Sequence, residues 1–279
     1  MAINLSSVGK KLGSVTHSYT ERDVMLYALG VGAGRDELQF TYEGDLKVLP
    51  TFAVIPAFPA MMNLGNVMAD INPAMVLHGE QSINLLAPIP TSGTLTTTPT
   101  IKAVYDKVKG AVVVVETETV DAKGALLFRN TSSIFVRGEG GFGGDRGPSG
   151  ARNLPPDRPA DKSVSMKTSP DQALVYRLSG DMNPLHADPN FARMGGFDTP
   201  ILHGLCTFGH AGRAVLQSWC GNDPQRLKSF EVRFAGVVYP GETIVTDMWQ
   251  VEKGKIALTA KTAERGETVL ASAGAEVAV

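Results

Sequence analysis

The chain of 279 residues is divided near its middle by a segment rich in glycine. From Gly138 to Gly150 the sequence reads GEGGFGGDRGPSG, with seven glycines in thirteen residues, and the proline-rich and charged stretch ARNLPPDRPADK follows. Such a segment cannot bury enough apolar surface to offset the entropy lost on ordering. We therefore predict a linker or an exposed crossover at 138–162, between an N-terminal half (1–137) and a C-terminal half (163–279).

The two halves show the same order of sequence patterns. TERDVMLYALGVGAG (Thr20–Gly34) and SPDQALVYRLSGDMN (Ser169–Asn183) each begin with a Ser or Thr helix cap, followed by an acidic first turn and a Tyr-x-Leu. Each half also contains the triplet Leu-His-Gly, at Leu77–Gly79 and at Leu202–Gly204, which we interpret as a second repeated feature. The halves are therefore predicted to be diverged copies of one unit.

Each half ends in successive β patterns separated by glycine-containing turns, such as Lys109-Gly110 and Lys253-Gly254. The segment from His203 to about Trp219 is apolar on most faces, which predicts a buried central helix. An antiparallel meander wrapped around one buried helix, occurring twice, is the α+β architecture that this order favours.

Composition excludes several classes of protein. The formal net charge of -2 lacks the basic excess of a nucleic-acid binder, and no apolar run is long enough to span a membrane. Cys206 and Cys220 have neither metal-ligand nor disulfide spacing, so we expect buried or idle thiols in a reducing compartment. The first residues show no secretory pattern and the last are not of the SKL type. A cytosolic location is expected, or a peroxisomal one if a targeting signal or fusion partner lies outside this sequence.

The stretch Asp181-Met-Asn-Pro-Leu-His186 places a carboxylate, an amide and an imidazole around a proline. Pro184 forces Asn183 out of the helical region, so the stretch is predicted to form an ordered turn. A turn can direct Asp181, Asn183 and His186 toward one point, where an acid and an imidazole sharing one water form an acid–base pair. The alternative is that Asp181 and Asn183 cap and brace the turn, with His186 as a packed neighbour.

Gly204 follows a histidine and opens the predicted central helix. A glycine there permits close approach of a ligand to the backbone, and a helix N-terminus offers free N–H groups with positive potential. These are the donors that an oxyanion requires when charge develops on a carbonyl oxygen. Close packing of helix against sheet is the alternative explanation for Gly204.

The residues from Tyr176 to Gly204 closely resemble the hydratase 2 motif of the MaoC-like (R)-specific 2-enoyl-CoA hydratases. The matching segments are YRLSGDMNPLH, the following ADP, GGF and PILHG. The duplicated layout resembles the double hot-dog members of that family, including the hydratase unit of peroxisomal multifunctional enzyme type 2. The resemblance covers nearly the whole chain and implies two tandem hot-dog repeats, each an antiparallel sheet wrapped around a central helix.

The resemblance also implies roles for individual residues. Asp181 and His186 match the acid–base pair, Asn183 the amide between them, and Gly204 the glycine whose N–H stabilises the thioester oxyanion. The positions that resemble contacts to the CoA thioester are His78, Gly79, Lys107 and Phe234. Lys107 also suits a phosphate on physical grounds, because it is a cation near a strand end, although a solvated turn lysine is the alternative. His203 is expected to brace the site or to contact substrate.

In the first half the corresponding segment reads GVGAGRDE, without the acid–base pair. We therefore expect one active site per chain, in the C-terminal repeat, and a substrate-holding role for the N-terminal repeat. The methionine-rich stretch Phe52–Met75 is a candidate lining for an acyl pocket, since methionine adapts to variable shapes; an ordinary core with a proline-rich loop is equally compatible.

The family resemblance implies reversible syn addition of water to trans-2-enoyl-CoA, giving (3R)-3-hydroxyacyl-CoA. The expected partner is the acyl-CoA substrate, without a cofactor or metal, and the expected assembly is a homodimer. One alternative is a dehydratase of a branched, steroid-side-chain or dicarboxylic acyl-CoA. Another is a non-catalytic acyl-CoA-binding hot-dog protein, for which a buried acid–base pair has no use.

Overall fold

The computed structural model describes residues 2–62, 64, 67–68, 70–72, 75–150 and 152–278. Within these ranges the alternating apolar and polar segments form ten strands. Their bounds are β1 Val15–Tyr19, β2 Val76–Leu85, β3 Gly93–Asp106, β4 Gly110–Val120, β5 Leu126–Arg137, β6 Lys162–Lys167, β7 Leu227–Phe234, β8 Thr243–Glu252, β9 Lys255–Thr262 and β10 Thr268–Val277.

The helices lie before the meander in each half. They are α1 Glu21–Gly30, α2 Leu38–Thr41, α3 Val54–Met62, α4 Gln172–Tyr176, α5 Pro189–Met194 and α6 Gly204–Val215, the last continued by a π-helical turn at Leu216–Cys220. Single 3₁₀ turns lie at Leu5–Ser7, Glu43–Asp45, Pro50–Ala53, Arg177–Ser179, Pro184–His186 and Pro224–Arg226. None of the helices in the described ranges has the length and apolarity that crossing a membrane requires.

All ten strands belong to one antiparallel sheet in the order β1-β3-β4-β5-β2-β7-β10-β9-β8-β6. The five strands of each half are arranged in mirrored order, and β2 and β7 meet at the centre. Ser82 pairs with Glu231, a separation of 149 residues. The same shift of 149 residues takes Glu80 to Ser229 and Asn84 to Arg233. It therefore converts the pair Glu80–Arg233 into the pair Asn84–Ser229. A pseudo-twofold axis therefore passes between Ser82 and Glu231 and relates the two repeats.

The helices cover one face of this sheet and bury a core that both repeats share. Tyr27 and Phe52 from the N-terminal half pack with ring centroids 5.5 Å apart, and Phe208 and Phe230 from the C-terminal half with centroids 4.6 Å apart. All four side chains belong to the same apolar cluster. The predicted central helix is confirmed in α6, whose residues from Leu205 to Val215 are all buried.

The predicted linker lies between β5, which ends at Arg137, and β6, which begins at Lys162. It is held against the β3–β4 hairpin. The Asp106 carboxylate accepts hydrogen bonds from the N–H groups of Gly141 and Gly143, each at 2.8 Å. Gly147 has φ +67° and passes so close to Tyr105 that a Cβ would lie 2.4 Å from the ring. The glycines therefore permit both the turns and the close approach that anchor this segment.

One detail of the predicted repeat is wrong. Leu77–Gly79 lies inside β2, whereas Leu202–Gly204 leads into α6, so the two Leu-His-Gly triplets are not equivalent. The counterpart of Leu202-His203-Gly204 is Leu49–Thr51, because DLKVLPTF leads into the helical turns at α3 as DTPILHGL leads into α6. The predicted cap at Ser169 is present: its Oγ accepts a hydrogen bond from the Asp171 N–H at 3.1 Å, and its own N–H donates to the Gln172 side-chain oxygen at 3.2 Å, just before α4 begins at Gln172.

Candidate active site

The turn after α4 positions the candidate acid–base residues. The Asn183 side-chain oxygen accepts a hydrogen bond from the Leu185 N–H at 3.0 Å and thereby caps the 3₁₀ turn that Pro184 begins. An Asp181 carboxylate oxygen accepts one from the Asn183 N–H at 3.2 Å. The expected bracing of the turn is therefore present. It aims the His186 imidazole inward, where the ring is buried.

One hydrogen bond determines which His186 nitrogen is basic. His186 Nδ1 lies 2.8 Å from the backbone oxygen of Ile201. A carbonyl oxygen only accepts, so Nδ1 carries the proton and Nε2 keeps its lone pair. Burial lowers the pKa of His186, outweighing the hydrogen bond to Ile201 and the nearby Asp181 carboxylate, which both raise it. The ring is therefore a neutral base at physiological pH.

His203 connects the two members of the pair. Its ring stacks on that of His186, with centroids 3.7 Å apart and an interplanar angle of 28°. Its Nε2 lies 3.1 Å from the backbone oxygen of Asp181 and donates to it. Burial, followed by the neighbouring His186, lowers the pKa of His203 to about 3. The prediction that His203 braces the site thus has a direct geometric basis; substrate contact stays a prediction.

The structure also gathers three possible metal ligands that the sequence spacing did not indicate. Asp181, His186 and His203 each offer one ligand atom within 4.8 Å of the others. The two imidazole planes are stacked and nearly parallel, so an ion in the plane of one ring lies out of the plane of the other. The arrangement therefore fits an acid–base pair with a bracing histidine better than it fits a metal centre.

The surroundings of Gly204 are compatible with both interpretations of this residue, an oxyanion donor and a position of close packing. It is the first residue of α6, so its N–H has no intrahelical partner and lies at the positive end of the helix. Gly204 is exposed, so a ligand can reach its backbone. A Cβ there would lie 3.2 Å from the Phe234 ring, which shows that packing also requires a small residue.

The residues predicted to contact the CoA thioester lie around one cleft of about 480 Å³. Gly79, Lys107 and Phe234 line it, although they come from three different strands or turns. His78 lies next to this group, with its ring centroid 5.0 Å from that of Phe234. The Phe234 ring thus contacts His78 on one side and the Gly204 position on the other. Lys107 Nζ donates hydrogen bonds to the backbone oxygens of Arg146 and Pro148 in the linker.

Both halves of the sequence match family models, by the descriptions MFE-2 hydratase 2 N-terminal domain over residues 17–138 and MaoC like domain over residues 152–272. A Dictyostelium discoideum protein named probable enoyl-CoA hydratase 2 is 44% identical over 275 residues, covering 95% of this chain and 93% of that protein. The chain belongs to the hydratase 2 family of MaoC-like proteins.

One solved structure agrees with this assignment, and a second supports the fold. A MaoC-like dehydratase from Phytophthora capsici superposes with a TM-score of 0.91 at 37% identity, covering 99% of this chain and 98% of its own. A Mycobacterium tuberculosis protein described as a double hotdog fold gives a TM-score of 0.60 at 13% identity, covering 97% of this chain and 96% of its own, which supports the fold alone. The predicted double hot-dog fold is confirmed.

Three arginines near this hydratase 2 site were not predicted from the sequence. Arg177 donates to the Met182 backbone oxygen at 3.3 Å, and its charge lowers the pKa values of His186 and His203. Arg152 and Arg233 line the cleft, and each contacts the Glu80 carboxylate at 2.8 Å. Only the folded sheet and linker bring these charges together. Arg177 lies within the recognised motif, but nothing in the motif's chemistry pointed to it.

In the N-terminal repeat of this hydratase 2 protein, a shift of 149 residues places Gly32 and Glu37 at the positions of Asp181 and His186. Glu37 is buried and its carboxylate pairs with the Arg213 guanidinium on α6. Gln217 Nε2 donates to the same carboxylate at 3.3 Å. The counterpart of the candidate acid–base turn therefore contributes a structural ion pair that joins the two repeats.

Only part of the predicted acyl-pocket lining lies within the described residues. Phe52 lies in the shared core, whereas Met62 at the end of α3 is 71% exposed. Residues 63, 65, 66, 69, 73 and 74 of the stretch Phe52–Met75 lie outside the described residues. The acyl pocket in this stretch stays a prediction.

Proposed function

We propose that this protein is an (R)-specific 2-enoyl-CoA hydratase, which adds water reversibly and syn to trans-2-enoyl-CoA to give (3R)-3-hydroxyacyl-CoA. The observation that carries the proposal is the neutral His186, held beside Asp181 by the hydrogen bond from its Nδ1 to Ile201. The Dictyostelium relative named probable enoyl-CoA hydratase 2 supports the substrate class.

In the proposed reaction the Gly204 N–H polarises the thioester carbonyl. Negative charge develops on the thioester oxygen as water adds to C3, and the N-terminus of α6 stabilises that charge. The Phe234 ring lies beside Gly204, where it would border a thioester bound to this N–H. The oxyanion donor is a backbone group, so its position depends on the start of α6 and on what packs there.

Asp181 and His186 act on one water molecule on a single face of the double bond. The water hydroxyl adds to C3 and its proton is delivered to C2, so the addition is syn and the atoms balance without another reactant. Lone pairs on His186 Nε2 and the Asp181 carboxylate accept the water's hydrogens, and Asn183 is proposed to orient the water or the carbonyl. Each member of the pair is therefore required in a defined protonation state.

The purified protein should hydrate crotonyl-CoA and longer trans-2-enoyl-CoAs, measured as loss of absorbance of the conjugated thioester. Asp181→Asn and His186→Gln should each lower kcat by at least about 100-fold, since a positioned acid or base contributes about 10²–10⁴-fold. Asp188→Asn serves as a control because Asp188 is an exposed helix cap just beyond the turn. Circular dichroism would establish that the variants fold. Full activity in Asp181→Asn or His186→Gln would contradict the proposal.

Acyl preference, assembly and location complete the proposal. Comparing kcat/KM for straight, branched, steroid-side-chain and dicarboxylic enoyl-CoAs would separate a general hydratase from a specialised one. The reaction is proposed to need no cofactor or metal, so dialysis against a chelator should leave turnover unchanged. A homodimer is proposed and light scattering would test it, and microscopy of a tagged chain would test the cytosolic location.

A further inference from the structure

A second cleft, of about 520 Å³, lies at the opposite end of the central strand pair from the CoA cleft. The CoA cleft is lined by the beginning of β2 and the end of β7, including Gly79 and Phe234. The second cleft is lined by the end of β2 and the beginning of β7, including Leu85 and Leu227. The antiparallel pairing of β2 with β7 therefore places the two clefts on either side of the pseudo-twofold axis.

The repeat symmetry relates residues of the second cleft to residues around the candidate active site. Leu85 in the second cleft corresponds to Phe234, because both are the last residues of the central strands and lie 149 residues apart. The segment Leu46–Pro50, which leads to α3, corresponds to Thr199–His203, which leads to α6; the shift here is 153 residues, because the C-terminal repeat is four residues longer before this segment. Leu46, Lys47, Val48 and Pro50 line the second cleft. The cleft is thus the N-terminal repeat's counterpart of the catalytic site.

The second cleft is concave, but the counterparts of the candidate active-site residues are different there. Pro50 and the buried Thr51 stand where the catalytic repeat has His203 and Gly204. Pro50 has no N–H and no ring nitrogen that can brace an acid–base pair. The Glu37 carboxylate, at the position of His186, is paired with Arg213. The second cleft therefore lacks the counterparts of the acid–base histidine and of its bracing partner.

The lining of the second cleft indicates the chemical class of its ligand. Most of its wall is aliphatic and proline side chains, which suits a hydrocarbon chain, and its volume falls within the range of about 300–1,000 Å³ typical of ligand sites. Lys47 and Lys228 are exposed at this cleft. The one lining carboxylate, Asp223, accepts a hydrogen bond from the Gln225 N–H at 3.0 Å. The cationic excess favours an anionic head group.

We propose that this second cleft binds an aliphatic chain with an anionic head group, a fatty acid or an acyl-CoA, without turning it over. The inference extends the proposed function, because the ligand is of the same class as the proposed substrate or its acyl part. The site is the N-terminal repeat's own binding cleft, retained after its acid–base residues were replaced.

Isothermal titration of the full chain with decanoyl-CoA and with decanoate tests the proposal. Both probes are saturated, so the protein cannot hydrate them. If the second cleft recognises CoA phosphates, decanoyl-CoA should occupy two sites per chain. If it recognises a carboxylate, decanoate should occupy one site, and Asp181→Asn and Gly204→Ala should leave that site intact. The double variant Lys47→Glu/Lys228→Glu should weaken the second-cleft site at least tenfold, and Leu86→Trp should fill the cleft. Lys10→Glu/Lys123→Glu, two exposed lysines outside the cleft lining, is the matched control.

The outcomes separate this proposal from the proposed function. Decanoate binding at the second cleft would identify a carboxylate head group, and binding of decanoyl-CoA alone would identify the CoA phosphates. The proposal is overturned if neither probe shows a site beyond the catalytic one, or if that site persists unchanged in both cleft variants. Hydration by the Lys47→Glu/Lys228→Glu variant should stay within twofold of wild type. If the wild-type protein does not hydrate enoyl-CoAs, this result would contradict the proposed function but not the second binding site.

Discussion

The imidazole ring of His203 stacks on His186 at a centroid distance of 3.7 Å, while its Nε2 donates to the backbone oxygen of Asp181. One side chain therefore contacts both members of the candidate acid–base pair. It does so in the neutral form, since burial holds its pKa at about 3. His203 is a positioning residue in this arrangement, because its two contacts set the ring plane of one partner and the backbone of the other.

Separating the two contacts of His203 should show which one positions the site. His203→Phe keeps an aromatic ring for stacking but loses the donor, whereas His203→Gln keeps a donor and loses the stack. We expect each to lower kcat by about 10- to 100-fold with little change in KM, since small displacements of reacting groups cost up to about 100-fold. Steady-state kinetics would show this. A fall in melting temperature with unchanged kcat would indicate a merely structural role.

Gly204→Ala tests the start of α6. The added Cβ would lie 3.2 Å from the Phe234 ring, so either the ring or the helix start must move by a few tenths of an ångström. We expect kcat to fall more than KM rises, because the oxyanion forms only during the reaction. Adding Phe234→Leu should restore part of the loss, measured as a double-mutant cycle. Additive effects of the two substitutions would contradict this coupling.

Local patterns in the sequence predicted the elements that depend on local chemistry. The cap at Thr20, the turn around Pro184 and the apolar segment of α6 follow from single residues and their spacing. Residues that act through long-range contacts had no such signal. Glu37 and Arg213 lie far apart in the chain, and only the packing of the first repeat against α6 pairs them. The triplet Leu77–Gly79 was misinterpreted for the same reason, since three letters do not reveal whether they lie in a strand or precede a helix.

The ion pair between Arg213 and Glu37 should be important for joining the repeats. Arg213→Met would leave a buried carboxylate unpaired, and breaking a buried pair costs about 3–5 kcal/mol. We expect a clear fall in melting temperature, and a smaller one in Arg213→Met/Glu37→Gln, which removes both charges. Differential scanning calorimetry would compare them. A double variant no more stable than Arg213→Met would indicate that the unpaired charge is not the cause.

Lys107 should affect substrate affinity more than turnover. Its ammonium lines the cleft proposed to bind CoA and donates to two linker carbonyls, so Lys107→Met removes a cation and loosens the linker at the cleft wall. We expect KM for crotonyl-CoA to rise severalfold at low salt, with the difference shrinking as salt screens the charge. Lys109→Met is the control, because Lys109 lies on the same turn outside the cleft lining. Equal effects of both substitutions would mean that only the overall charge of the turn matters.

Buried His203 and His210 and half-buried His78 are held neutral, which should make the fold sensitive to mild acid. Burial lowers the pKa of His78 and His210 to about 4 and that of His203 to about 3, from an ordinary value of 6.5. As the pH falls below 6.5, these groups take up protons in the unfolded chain while the folded protein holds them neutral. The free energy of unfolding should therefore decrease by at most about 1.4 kcal/mol per pH unit for each histidine, until the folded pKa is reached.

Melting temperatures between pH 7 and pH 5 would measure this decrease, above the range in which the carboxylates titrate. His210→Gln should give a shallower slope whatever its stability at neutral pH, because one buried titrating group is gone. We choose His210 because it lies one to two turns from Gly204, away from the candidate acid–base pair. Its Nδ1 bonds to the Cys206 backbone oxygen within α6. An unchanged slope in this variant would mean that His210 does not stay neutral in the folded chain.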